Sequence, residues 1–525
     1  MDSIVENQDY NIDISFLNID TRPIIESYFH QRGLGEYFNK SNLSHNSLFY
    51  DLELSPFVLI NHYLISEFKS ASPHSKDSSY VGSYDSLDKL FSVLNINNDF
   101  NYDSPFFPGI PTDPNGFKGR IDTLNHILRY FSNVFKGRTQ HFYLTGKRRM
   151  GKTSIIMFLK DYMNSFDVAS VYVSNKGNDS VEFLTKNIIE SLLTELTVKD
   201  SSLNQRLKDF FQNHLESIEF KGAKISFKVD KLLSLSFKED FIDHLISILN
   251  EFGRDKKALF IIIDDINGLS DSKEFVHWYK KLADTIAVSY SRQLPIYFLL
   301  ASYPDKFFAL TKQEPSFGSI FEYENIDRLS DNEVRYFFIS LFKSINMEID
   351  VDALFIMVLL SMGQPLMMQL IGDSIFWQSS NSVISKEEAI RGIIEANNQL
   401  GAKQLRDILY MIHKGNYHLI LESLIADGKY FFTKADIKKI DIDGLDMDDE
   451  FIDEFINKML DLDSIEVLNY KNSSIFNLKS FNRLNLINSV FNLDDFDFTN
   501  DVYTFGGSLT FIYFWIKYLE SKIKV

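Results

Sequence analysis

One run in this chain has the residue types and spacing to hold phosphate: Gly146-Lys147-Arg148-Arg149-Met150-Gly151-Lys152-Thr153, followed by Ser154. Successive backbone N–H groups, closed into a cradle by glycines and continued by a helix N-terminus, present an array of donors to phosphate oxygens. Lys152 supplies a cation for the β- and γ-phosphates, and the Thr153 hydroxyl suits a Mg²⁺ ligand. A second element complements it. Ala258-Leu-Phe-Ile-Ile-Ile-Asp264 is a continuous apolar run ending in an acid, as expected of a parallel strand buried on both faces whose C-terminal end borders the ligand. Asp264 is thereby expected to hold the metal shell with Thr153.

Both features need an α/β scaffold. The β-rich run Phe142-Tyr143-Leu144 leads into the glycine-rich loop, and Ser154 to Lys160 reads as the helix after it. Val168 to Ser174 and Leu294 to Leu300 read as further buried strands, and Val181 to Leu196, Leu203 to Leu215 and Phe241 to Phe252 as helices. Ile218 to Val229, centred on Gly222, alternates as a hairpin would.

With 525 residues the chain has room for about three or four domains. A net charge of -18 argues against whole-molecule attraction to DNA or anionic membrane, though a local basic patch is compatible with it. The absence of cysteine removes disulfide and zinc-finger frameworks and fits a reducing cytoplasm. Met1 to Asp20 has no basic segment of a signal peptide, and the apolar stretch Leu509 to Leu519 is too short to span a bilayer, so it is expected to pack as a terminal helix. The scattered histidines form no His-Glu-x-x-His pattern, which leaves metal-dependent protease chemistry without a site.

Phe117-Lys118-Gly119-Arg120 enters a helical pattern through Ile121, Leu124, Ile127, Leu128 and Phe131, and paired arginines precede Gly-Lys-Thr. On these motifs the chain resembles the archaeal-type P-loop ATPases of the STAND class, close relatives of AAA+ proteins. The resemblance spans roughly residues 115 to 480. It implies that Arg120 and its neighbours lie against the base and ribose, and that Ser302 is a sensor-like residue near the γ-phosphate. It further implies that Pro365, in Gly363-Gln364-Pro365, packs close to the nucleotide. Asp265 stands where AAA+ relatives often carry a glutamate that polarises the attacking water, so Lys152 and Asp265 are the candidate catalytic residues. Its shorter side chain implies slow turnover. Residue type alone leaves Arg120 equally suited to a surface ion pair and Ser302 to an ordinary turn. An arginine finger is not identified; Arg148, Arg149, Arg292, Arg328 and Arg335 are the alternatives.

The expected fold is an α/β P-loop NTPase core, a parallel sheet flanked by helices, with a helical lid, a winged-helix-like C-terminal domain and a mainly helical N-terminal accessory region. The expected divisions are 1–110 (accessory region, with a helix at Ile24 to His30, a second at Phe57 to Phe68 and a loop from Ser70 to Ser83), 111–310 (core), 311–400 (lid), 401–490 (winged helix) and 491–525 (extension). Ser330 and Glu333 make a capping box at the lid's first helix. The winged-helix reading rests on helices from Tyr417, Thr433 and Asp449 and a hairpin of Ile465 to Tyr470 with Ile475 to Leu478. The third helix and its flanks carry Asp446, Asp448, Asp449, Glu450, Asp453, Glu454, Asp461 and Asp463 against Lys458, the wrong sign for reading DNA.

Nucleotide (ATP or ADP) and Mg²⁺ are thus the expected cofactors, with a protein partner or a second copy of the chain as the expected associate. The functional expectation is a nucleotide-dependent conformational switch or assembly module, a role that the resemblance extends to signalling and defence against phage. One alternative is a DNA-acting ATPase resembling origin-recognition-type initiators; another is a scaffold whose nucleotide is structural and never hydrolysed.

Overall fold

Strands that are apolar on both faces must be covered from both sides, and the chain alternates them with helices that do so. A computed structural model describes residues 56–71, 104–112, 116–134, 141–175, 177, 180–197, 241–253, 256–290, 295–379, 381–468 and 501–522. These form two units, one over Pro111–Asp327 and one joining the described residues before it to those from Arg328 onward.

The first unit is built on a parallel five-stranded sheet: β1 (His141–Gly146), β2 (Val168–Ser174), β3 (Ala258–Asp264), β4 (Ile296–Ser302) and β5 (Phe321–Ile326), in the order β2-β3-β4-β1-β5. Alternate β3 residues serve opposite cores. Leu259, Ile261 and Ile263 pack with the helices Val181–Thr197, Phe241–Phe252 and Lys273–Thr285, while Phe260 and Ile262 pack with Ile121–Val134 and Lys152–Asn164. Parallel register aligns the C-terminal ends of β1, β3 and β4, with Thr145 opposite Ser302, so Gly146, Asp264 and Ser302 share one edge of the sheet. β5 lies inside the segment expected to begin the lid, because a polar edge strand, Phe-Glu-Tyr-Glu-Asn-Ile, gives a weaker apolar signal than the central ones. The sheet unit therefore runs on to Asp327.

In the second unit the helices Asp331–Ser344, Val351–Ser361, Pro365–Gln378 and Lys386–Gln399 share one hydrophobic core. The Ser330–Glu333 capping box is formed, with both reciprocal bonds present. Further on, the helices Tyr417–Ala426, Lys434–Lys438 and Asp449–Asp461 accompany an antiparallel sheet of Phe431–Phe432, Glu466–Leu468 and Val502–Thr504, with the last strand in the middle. That is a winged-helix order. Glu466–Leu468 pairs with Val502–Thr504, and Ile475 to Leu478, the other arm of the expected hairpin, lies outside the described residues.

The residues read as a C-terminal extension thus supply the central strand and the helix Leu509–Ser521, whose Trp515 is fully buried. The described helix of the N-terminal region, Pro56–Ser70, joins the same core through Leu64 and Phe68. Its Asn61 donates to Ile425 O at 3.2 Å and accepts from Trp515 Nε1 at 2.6 Å. The expected helices at Ile24 to His30 and Leu203 to Leu215, the loop Ser70 to Ser83 beyond Ala71, and the hairpin Ile218 to Val229 lie outside the described residues.

Candidate nucleotide-binding site

β1 ends at Gly146 because the backbone there runs against β5: a Cβ would lie 2.5 Å from Ile326 Cγ1 and 2.8 Å from Ile326 O. The chain then turns through Arg149 (φ 66°) and Gly151 (φ 85°), left-handed conformations that bend the loop back over the helix Lys152–Asn164. Met150, buried in the core beneath, anchors the loop. Lys147 and Arg149 are partly buried and Arg148 is exposed. Burial and the neighbouring Arg148 lower the pKa of Arg149.

Lys152 Nζ donates to the carbonyls of Gly146 at 2.5 Å and Lys147 at 3.0 Å, and stands 4.8 Å from the centre of the Tyr303 ring. Burial pulls its pKa down to about 8, against the opposing pull of Asp264 and Asp265. Thr153 Oγ1 donates to Asp264 Oδ2 at 2.9 Å, and Tyr172 OH reaches the same oxygen at 3.3 Å. Asp264 is 5% exposed, and this burial raises its pKa although both hydroxyls and Lys152 favour the carboxylate.

Asp265 follows in a left-handed conformation (φ 58°) at the start of a short 3₁₀ turn, Ile266–Leu269. The Asn267 side-chain amide donates to Asp265 Oδ1, and Asn267 Oδ1 accepts from Tyr303 N–H at 3.0 Å. Ser302 sits at the shared edge, but its hydroxyl donates to Tyr303 O at 2.8 Å and pairs with Tyr143 OH at 2.9 Å. Tyr143 belongs to the core on the sheet face away from the loop helix, so Lys152 meets Tyr303 rather than the Ser302 hydroxyl.

Two other anticipated residues brace the loop from outside. Ser154 Oγ accepts from Thr112 N–H at 3.2 Å. Arg120, 8% exposed and at φ 60°, donates to Met150 O at 3.2 Å and to Asp327 O. Its guanidinium thus joins the loop to the end of β5, and Phe117 beside it stacks on Phe158 with ring centres 5.0 Å apart.

Pro365 lies in the other unit, at the first turn of Pro365–Gln378. There Gly363 (φ 68°) is pressed on Leu329, whose N–H donates to Gly363 O at 2.9 Å, and a Cβ would fall 2.1 Å from Leu329 O. Gln364 Nε2 donates to Gly507 O at 2.8 Å. Of the arginine-finger alternatives, Arg328 and Arg335 are buried in that unit, Arg335 donating to Asn332, and Arg292 lies outside the described residues.

The sequence reading missed Tyr172, Asn267 and Tyr303. For Tyr172 a signal existed, since a hydroxyl-bearing residue near the C-terminal end of an otherwise apolar parallel strand is placed to reach the ligand edge. Asn267 and Tyr303 carry no comparable mark.

The donor set fits magnesium. Thr153 Oγ1 and Asp264 Oδ2 are hard oxygen ligands already adjacent, and Mg²⁺ is commonly held by one or two protein oxygens plus substrate phosphates. Among the described residues no cluster of three or more His, Cys, Asp or Glu could enclose a metal on its own. No helix among them is long and apolar enough to cross a membrane.

Residues 116–279 match the AAA ATPase domain family. The match covers the phosphate loop and both acids of the Asp264-Asp265 pair. No match to the chain was found among curated protein sequences. Among solved structures, an Aeropyrum pernix ORC2 protein is similar at 10% identity and a TM-score of 0.46, covering 81% of this chain and 97% of that one. A Walker-type ATPase of Pyrococcus abyssi is similar at 14% identity and a TM-score of 0.41, with coverage of 68% and 92%. Cdc6p of Pyrobaculum aerophilum is similar at 13% identity and a TM-score of 0.37, with coverage of 80% and 98%.

Proposed function

We propose that this chain binds ATP with Mg²⁺ at the 146–153 loop, hydrolyses it slowly, and uses the bound nucleotide as a conformational switch or assembly signal. The observation that carries this reading is the Thr153–Asp264 pair, 2.9 Å apart at the edge of a parallel sheet, beside a lysine held over a glycine-rich loop. Lys152 exchanges two carbonyl contacts for phosphate oxygens, and the low-dielectric surroundings that lower its pKa also strengthen the attraction between its ammonium and phosphate. Thr153 and Asp264 would hold the metal, which neutralises phosphate charge when bound with the nucleotide. Asp265 orients the attacking water and accepts its proton. Arg120, bonded to the loop and to Asp327, fixes the cradle's shape.

The switch needs the nucleotide to contact two arrangements of the protein differently. Light scattering on a sizing column tests it, comparing the wild type and Lys152→Ala, each with ADP or a non-hydrolysable ATP analogue plus Mg²⁺. Growth of the wild type alone with the analogue is expected. Unchanged mass in every condition removes self-assembly. Crystal structures with ADP and with the analogue that superpose would then remove the switch as well.

The rival reading, a DNA-acting ATPase, draws on the winged-helix order and on similar structures that include an ORC1 protein in complex with DNA. Charge opposes it. Lys434 and Lys438, the cations facing the third helix, are paired to its Asp453 and Asp449. Tight duplex binding with a steep salt dependence would reinstate it.

A further inference from the structure

We infer that Asn267 is a positioning residue for hydrolysis: its carboxamide holds the Asp265 carboxylate and the backbone at Tyr303 in one arrangement, joining the ends of β3 and β4 across the site. This rests on the reading of Asp265 as the residue that orients and deprotonates water.

The geometry is specific to an amide. Nδ2 is spent as a donor on Asp265 Oδ1, and Oδ1 as an acceptor on Tyr303 N–H at 3.0 Å. Aspartate at this position could accept from Tyr303 but would oppose Asp265, and alanine could do neither. Asp265 needs such a partner because of where it stands. Its backbone is left-handed (φ 58°), and its side chain makes no capping bond to the turn it opens, so the Asn267 amide sets which oxygen faces the site.

The second contact ties this carboxylate to Lys152. Tyr303, fixed through its N–H, carries the ring that lies 4.8 Å from Lys152 Nζ. Asn267 therefore sets the acid on one side of the phosphate position while bonding the backbone of the residue that meets the cation on the other. A carboxylate one methylene shorter than glutamate has little reach to spare, so its direction matters more than its presence.

The test uses the full chain, phosphate release from ATP with Mg²⁺, binding of a fluorescent ADP analogue, and the thermal midpoint. Asn267→Ala and Asn267→Asp are expected to lower kcat by about 10–100-fold, the scale for removing an outer partner that orients a reacting group, with nucleotide Kd changed by less than about threefold. Asp265→Asn should fall equally. Asp265→Asn/Asn267→Asp restores the hydrogen bond with its polarity reversed, so it should recover the midpoint lost in Asn267→Asp while kcat stays low. A merely structural Asn267 would lower the midpoint of Asn267→Ala and leave the kcat of the folded fraction unchanged.

Full turnover in Asn267→Ala beside a crippled Asp265→Asn overturns the inference alone, as does a loss of nucleotide affinity matching the loss of kcat. A wild type that releases no phosphate, or an Asp265→Asn variant with full turnover, overturns the hydrolytic reading and the inference with it. If Asn267→Ala does not fold, Asn267→Asp decides, because it keeps the acceptor for Tyr303.

Discussion

At the end of β3, Asp264 is buried and shares one oxygen with the hydroxyls of Thr153 and Tyr172, whereas on the helix Asp449–Asp461 the side chains of Asp449 and Asp453 are 85% and 53% exposed and bond lysines directly at the surface. The same residue type is under opposite pressures. Burial raises the pKa of Asp264, while the hydrogen bond from Lys438 lowers that of Asp449. An acid kept in a dry site at a cost has charge to offer an arriving cation. A solvated acid already paired to lysine has little, because water screens the pair.

The sharpest way to break this contrast is through the lysines. Lys152→Ala should lower turnover by about 100–1,000-fold, the scale for losing one prepositioned donor to a developing charge, while Lys434→Ala and Lys438→Ala should leave it unchanged in the same phosphate-release assay. The pH dependence carries a sign. Lys152 titrates at about 8 in the folded protein, below the ordinary lysine value, so folding releases its proton between those limits and Lys152 adds stability as pH rises through them. Phosphate favours the charged form. Titrations of a fluorescent ADP analogue should therefore weaken above pH of about 8, approaching tenfold per pH unit, and Lys152→Ala should abolish that slope.

Asp264→Asn sharpens the comparison next, because stability and binding should move apart. Asparagine keeps an acceptor for Thr153 and Tyr172 but removes the buried charge. Mg²⁺-dependent nucleotide affinity should fall by about 10–100-fold. A carboxyl whose folded pKa is raised loses stability as pH climbs from the ordinary carboxylate value through the raised one, and that cost persists at neutral pH. The nucleotide-free variant should thus melt higher than wild type at pH 7 and alike at low pH, each 1 kcal/mol reading as about 2–4 °C. A lower midpoint at pH 7 would mean that the hydroxyl contacts outweigh burial.

Arg120→Ala tests a buried cation that braces the loop. Two carbonyls, Met150 O and Asp327 O, lose a charged donor, and about 1.5–3 kcal/mol of stability should go with it. Lysine should not rescue, since one ammonium cannot reproduce the planar span between two carbonyls. Chemical denaturation of Arg120→Ala and Arg120→Lys measures both.

The ease of reading these regions from sequence tracks how local their causes are. The loop 146–153 and the strand ending in Asp264 were legible because glycine spacing, lysine, hydroxyl and apolar run all act within a few residues. The bonds of Arg120 were not, because its partners are a loop carbonyl and the end of β5, both distant along the chain. Ser302 was legible in position but not in direction: strand alternation turns its hydroxyl to Tyr143, a face that the residues after the strand do not reveal. The helix order from Tyr417 to Asp461 was readable. The strand completing its sheet comes from Val502–Thr504, and no local pattern announces a partner so far along the chain.

The smallest effect is the most direct check on the acidic helix. Asp449→Asn and Asp453→Asn each remove one partner of an exposed pair, Lys438 or Lys434, and the thermal midpoint should stay close to that of the wild type. Nucleotide affinity should be untouched. The informative quantity is salt. If these acids only solvate the helix, raising ionic strength should bring the variants and wild type together in midpoint, because salt weakens exposed ion pairs. If the acids face a basic partner, association should weaken in both variants, with the deficit shrinking as salt rises. Duplex DNA appearing as the ligand of Asp449→Asn/Asp453→Asn, with no binding by wild type, would show that these two carboxylates, rather than the winged-helix shape, keep this surface off nucleic acid.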